Sequence, residues 1–228
     1  MLAYGWRIPF LLGLANIAIS LFFRLKLTEA KRVNQQAIKE KKQFGRSTLI
    51  IFMLTIPAAV VFYVQNIATG ILGQALQLGT LRIWYPLLST SMLMIIIGLL
   101  AWWVDKYTTP EKAFTAGIVG AFLLSIPIYW LLGGGSLLWI IIAQIMLSII
   151  IALILGNLAA VLWLKSDGKN IALGSGYNLS LSIFGGISPL VIDSLLPYGF
   201  VWAGLYVAVS ALPALLVLVL FSRRKRLC

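Results

Sequence analysis

Uncharged apolar runs of about 18 to 25 residues recur along this chain, and as helices each would cross a hydrocarbon core of about 30 Å. They fall at about 8–23, 47–66, 84–104, 113–132, 136–164, 171–195 and 200–221. The polar breaks between them are short, with one exception. Residues 24–46, RLKLTEAKRVNQQAIKEKKQFGR, form the only long polar segment, with eight Lys or Arg against two acids, Glu29 and Glu40. The pattern predicts an all-α, polytopic membrane protein of about seven transmembrane helices: a single helix in 1–23, a basic cytoplasmic loop in 24–46, and six helices with a basic cytoplasmic tail in 47–228.

Within the runs, polar and small residues have positions. On a helix of 100° per residue, Thr55, Ala59, Phe62, Tyr63 and Asn66 share about a third of the circumference of the second span, leaving a Leu, Ile and Val face suited to lipid. The fifth span, 136–164, is long enough to tilt and contains Gln144, Gly156 and Asn157. The sixth is interrupted by Gly174, Gly176, Gly185, Gly186 and Pro189. Residues 70–82 read as a loop, and Gly133, Gly134 and Gly135 as a tight turn. Part of the basic segment, 29–43, has a thin apolar stripe that suits either a surface helix or a solvated connector.

Composition agrees with the pattern. At 61% hydrophobic and 11% charged residues, the chain lies far from a soluble domain, where charged residues make up about 25%. A net charge of +12 would otherwise suggest nucleic acid, but here the cations lie in the breaks. Of the 18 Lys and Arg residues, all but Arg7 and Arg82 fall on one side if the spans alternate, so the positive-inside rule predicts an outer amino terminus and a cytoplasmic carboxyl terminus. The first apolar run has no basic n-region and no small-residue cleavage site, and reads as a retained span. The single cysteine, Cys228, and the lack of histidine leave no disulfide, metal or cofactor pattern.

Two stretches resemble a known family. Residues 5–13, GWRIPFLLG, with an arginine about ten residues later, and residues 176–190, GYNLSLSIFGGISPL, resemble the sixth and eleventh helices of the metabolite:proton symporters. That family, within the major facilitator superfamily, includes the proline and betaine transporters. The resemblance implies that this chain corresponds to helices six to twelve, with 24–46 as the basic loop between two six-helix halves and the first five helices outside this sequence. It further implies a bacterial inner-membrane location, a small solute and a proton as partners, and a separate amino-terminal half to complete the transporter. The gating-loop pattern is only partly kept: Asp105 and Lys106 match the centre of one motif and Lys169 one basic position, while Ala101, Thr108, Thr109 and Pro110 depart from it.

A secondary transporter binds solute near the bilayer midplane on helices broken by Gly or Pro. Gly174, Asn178, Ser182, Gly185 and Pro189 share one narrow helical face, with Tyr177 beside it to offer a ring to a cationic solute. Tyr63 and Asn66 on the second span, and Gln144 and Asn157 on the fifth, complete the cavity candidates. Gln144 and Asn157 point about 140° apart and cannot share one site. Small residues at such places also serve close helix packing, and amides also serve helix-to-helix hydrogen bonds. Trp84, Trp102 and Trp103 read as interfacial anchors. With Asp193 placed at a span's outer edge, no carboxylate lies at membrane depth, so a coupling acid is expected in the other half.

The predicted function is therefore part of a proton-coupled transporter of proline, betaine, related zwitterions or organic acids, as a truncated or split-gene product. The alternative is a structural seven-span protein with no independent transport. An embedded enzyme would need clustered His, Asp, Glu, Cys or Ser at depth, and a channel a repeated filter or charged ring; neither pattern is present.

Overall fold

A computed structural model describes residues 41–166 and 170–224. The span expected at 8–23, most of the basic segment, and Lys169 lie outside the described residues. Helix α1 (Lys41–Phe62) runs on through a π-helical turn (Tyr63–Ile67) into the short α2 (Thr69–Ala75). A 3₁₀ turn (Gly79–Ile83) leads to α3 (Tyr85–Tyr107), then α4 (Pro110–Leu132), α5 (Leu137–Lys165) and α6 (Asn170–Ser180). A second π turn (Leu181–Gly185) joins α6 to α7 (Gly186–Leu195), and α8 (Phe200–Arg224) ends the described chain. Six helical stretches are long and apolar enough to cross a membrane: Gly45–Ile67, Tyr85–Tyr107, Pro110–Leu132, Leu137–Lys165, Asn170–Tyr198 and Phe200–Leu220.

The helix ends follow from local chemistry. Thr109 caps α4 by accepting from the Lys112 amide at 3.4 Å, and Pro110 occupies the first turn, where its missing N–H costs nothing. The polar break predicted at 105–112 therefore shrinks to Thr108 and Thr109. Gly135, at φ +72°, turns the chain from α4 into α5 in the left-handed region that glycine enters freely. Residues 70–82, expected as a loop, contain α2 and the 3₁₀ turn.

Helix α4 is the mechanical centre, packed along its length on α5 and on α8, while α5 also packs on α3. Backbones approach closely where α4 and α8 cross. A Cβ on Gly204 would lie 2.8 Å from the Ser125 carbonyl oxygen and 3.0 Å from Ile126 Cα, so only glycine fits. This is the small-residue packing by which membrane helices associate, since lipid gives no hydrophobic drive between them.

Helix α1 departs from expectation. Thr55 and Ala59 are buried as predicted, but so are Ile51, Leu54, Ala58, Val60, Val61 and Val64, and no residue from 51 to 66 is exposed. The face expected to meet lipid meets other helices instead. A wheel cannot separate these outcomes, because lipid tails and the flank of a neighbouring helix are equally apolar; a helix apolar all round is an interior one.

Candidate functional site

Polar groups within the described bundle fall into two sets. One is interior. The Gln65 side-chain amide donates to Gln144 Oε1, which also accepts from the Tyr85 hydroxyl at 3.1 Å. Gln144 Nε2 donates to Ser89 Oγ at 2.8 Å, and Ser89 Oγ donates to the Gln65 carbonyl at 2.9 Å, closing a ring. The ring ties the π turn after α1 to α3 and α5. All four residues are buried, with Gln144 only 3% exposed. Gln144, one of the predicted cavity candidates, has its carbonyl oxygen doubly engaged and one of its two side-chain N–H groups committed to Ser89. Asn157, also buried, donates to its own helix at Leu153 O, 2.9 Å away. The two share no partner.

The second set is open. Ser175, Asn178 and Ser182, spaced three and four apart, are exposed on α6 and the start of its π turn. The Asn178 side chain donates to Gly174 O at 2.8 Å in its own helix, and among the described residues its carbonyl oxygen and second N–H remain available. Tyr177 beside it is half-buried. In the π turn after α1, Tyr63 and Asn66 are half-buried; Asn66 Nδ2 reaches Phe62 O at 3.3 Å, and its Oδ1 is buried without a partner.

The two helices run side by side in the same direction. A Cβ on Gly176 would lie 2.6 Å from Thr48 O, Phe184 meets Phe52 edge-on at 6.0 Å, and a Cβ on Gly185 would strike the Tyr63 ring. Tyr63 is thus placed against the second π turn, while Asn178 and Ser182 face away from α1.

The π turn also corrects the predicted stripe. Gly174, Asn178, Ser182, Gly185 and Pro189 align only on an uninterrupted α-helix. One extra residue in the turn shifts the register, so Gly185 is buried against Tyr63 and Pro189 is half-buried, while Gly186, Ile187 and Leu190 take the exposed side. Ser188, now buried, bonds Phe184 O and the Tyr206 hydroxyl, the latter at 2.9 Å.

Two of the gating-loop candidates, Asp105 and Lys106, lie at the end that carries Arg46, Lys112 and Lys165. Asp105 and Lys106 are both exposed, and Lys106 Nζ sits 5.3 Å from the Trp102 ring centre and 5.2 Å from that of Tyr107. At the same end Lys165 Nζ pairs with Glu111 Oε1 at 2.8 Å, joining the end of α5 to the start of α4. At the other end a groove of about 510 Å³ is walled by Trp130, Trp139 and Phe200; none of the candidate residues lines it. Among the described residues, no group of His, Cys, Asp or Glu is placed to hold a metal ion.

Sequence reasoning missed Gln65, Tyr85 and Ser89. The available signal was modest: a glutamine one residue before a noted asparagine, and a tyrosine and serine one turn apart at the start of α3.

The fold and its polar interior define a multi-pass, all-helical membrane protein. Its relatives are solute transporters. The chain is 29% identical over 206 residues to a protein of Staphylococcus haemolyticus (strain JCSC1435) named for proline/betaine transport, covering 84% of this chain and 44% of the relative. It is 23% identical to the shikimate transporter of Escherichia coli (strain K12), over 86% of this chain and 49% of the relative. To the α-ketoglutarate permease of the same organism it is 23% identical, over 97% and 54%. The chain spans about half the length of these relatives, as a carboxyl-terminal part of such a transporter would. No family model matches it, and no solved structure does.

Proposed function

We propose that this chain forms the carboxyl-terminal part of a secondary transporter for small zwitterions or organic acids, and that α6 contributes one wall of its solute path. The observation that carries this reading is the exposed polar stripe Ser175, Asn178 and Ser182 on a helix embedded in the membrane. An amide left in hydrocarbon lacks partners, so the stripe faces water, solute or another polypeptide. Tyr63, Asn66 and Tyr177 border the path, while Gln144 and Asn157 serve the interior. Proton coupling, an inner-membrane location, a cytoplasmic carboxyl terminus and an amino-terminal half that supplies the coupling acid belong to the same proposal. The names of the relatives support the solute class, and the gathering of cations at one end supports the orientation.

The test is solute-dependent stabilisation of the purified chain by proline, betaine, shikimate and α-ketoglutarate, alone and with a co-expressed amino-terminal half. A ligand that binds the folded state raises the melting midpoint. A rise that Asn178→Leu abolishes is expected. No rise with any solute in either preparation would favour a structural membrane protein.

A further inference from the structure

Two π turns lie against each other in this bundle, and they carry three of the polar candidates. Tyr63 and Asn66 belong to the first turn (Tyr63–Ile67) and Ser182 to the second (Leu181–Gly185). The first turn packs on α7, and the Tyr63 ring rests on Gly185. A π turn holds one residue more than an α-helix needs, so it sets the rotation of everything beyond it, and such turns recur at functional sites. The π form is the rarer one, and its register needs a hold from neighbouring groups.

Both turns are held in the same way. In the first, Ser89 Oγ on α3 donates to Gln65 O at 2.9 Å and accepts from Gln144 Nε2 on α5 at 2.8 Å. In the second, Ser188 Oγ donates to Phe184 O, and with its one proton spent it accepts from the Tyr206 hydroxyl on α8 at 2.9 Å. Both serines are fully buried. The order is the same twice: a donor on a further helix, a serine hydroxyl, a π-turn carbonyl. Serine hydroxyls that reach back along their own helix also occur elsewhere, as Ser125 does to Ala121 O. Ser89 and Ser188 differ in that each also accepts from a side chain on another helix. Pro189, moreover, has no N–H to give the carbonyls of the second turn behind it.

We propose that Ser89 and Ser188 are positioning residues for the solute path, a role that rests on the path proposed above. They hold the two π turns in register and so fix Tyr63, Asn66 and Ser182 in place, while touching no solute themselves. Gln144 and Tyr206 back the two serines from the body of the bundle. Without the Ser188 hydroxyl the second turn loosens towards an uninterrupted helix, on which Gly185 leaves the Tyr63 ring and joins the side of Asn178 and Ser182.

The test has two arms, with Ser89→Ala, Ser188→Ala and, as a control buried serine outside the turns, Ser125→Ala. In the first arm, deuterium exchange of the solute-free chain is expected to rise about three- to tenfold at the turn beside each altered serine, the scale of one lost buried hydrogen bond. Ser125→Ala should leave both turns unchanged, and unchanged exchange at the turns in Ser89→Ala and Ser188→Ala would overturn the proposal. The second arm measures the shift in melting midpoint that proline, betaine, shikimate or α-ketoglutarate gives with the amino-terminal half co-expressed. Ser89→Ala and Ser188→Ala are expected to lose at least half of that shift, whereas Ser125→Ala keeps it even where its solute-free midpoint falls. A full shift in both turn variants, beside faster exchange, would make the serines structural only and overturn their positioning role while leaving the solute path standing. No shift in the unaltered complex would instead remove the path, and the positioning role with it. If Ser188→Ala does not fold, Tyr206→Phe removes only the backing of Ser188 and is read in the same two arms.

Discussion

A Cβ placed on Gly185 would lie 2.6 Å from Cε2 of Tyr63 and 2.9 Å from its Cζ. The ring therefore rests on the second π turn with no space for a methyl group. Gly185→Ala forces the ring or the turn to move, at about 1–3 kcal/mol for overpacking. The expected result is a lower melting midpoint for Gly185→Ala, largely restored by Tyr63→Leu in the same chain. Equal destabilisation with and without Tyr63→Leu would show that the contact is not what excludes alanine.

The glutamine ring predicts strong coupling. Gln144→Leu strands the Tyr85 hydroxyl and the Gln65 amide together, at about 1–3 kcal/mol. Gln65→Leu should cost less, because Gln144 keeps Tyr85 and Ser89. In the double variant the losses should fall short of their sum, as for residues in one network. Unfolding of the single and double variants in detergent gives the coupling directly, and simple additivity would refute it.

Asn178→Leu and Ser182→Leu should separate function from folding. Both side chains are exposed, and the Asn178 bond stays within its own helix. Melting within about 0.5 kcal/mol of the unaltered chain is expected, as for surface positions, together with loss of solute-dependent stabilisation. A large loss of stability would place these residues in packing instead.

Orientation is testable with single cysteines after Cys228→Ser. Lys112→Cys, beside the Thr109 cap, should react with an impermeant thiol reagent only in inside-out vesicles. Gly134→Cys, in the turn between α4 and α5, should react only from the other side. Reversed or mixed labelling would overturn the proposed cytoplasmic placement of the basic end.

The Lys165 to Glu111 pair should contribute modestly. Both side chains are partly buried, Lys165 at 13% and Glu111 at 34% exposed, so water and salt screen the pair only in part. Glu111→Gln is expected to shift the midpoint slightly, and less at high salt than at low salt.

The length of each apolar run was enough to find the six described spans, because a bilayer imposes a minimum length. What lay beyond the sequence was rotation. Gly185 and Pro189 share a face with Asn178 on paper, and the π turn moves them off it; the wheel assumes a constant 100° per residue. Similarly, Gln144 was visible as an amide at membrane depth, but nothing in its own span says that Gln65, Tyr85 and Ser89 surround it. The enclosure of α1 was hidden for the same reason: burial against a helix and exposure to lipid select the same side chains.

Enclosure of α1 also bears on the order of synthesis. Gln65 leaves the ribosome 79 residues before Gln144, the partner of its amide. Until α3 and α5 have been inserted, its side chain has neither of the helices that later bond it, and Ile51, Leu54 and Val64 lack most of the neighbours that will cover them. Among the described helices the most enclosed one is thus made before those that enclose it, and its polar end must be sheltered by the insertion machinery, by water near the headgroups, or by an earlier helix until the later spans arrive.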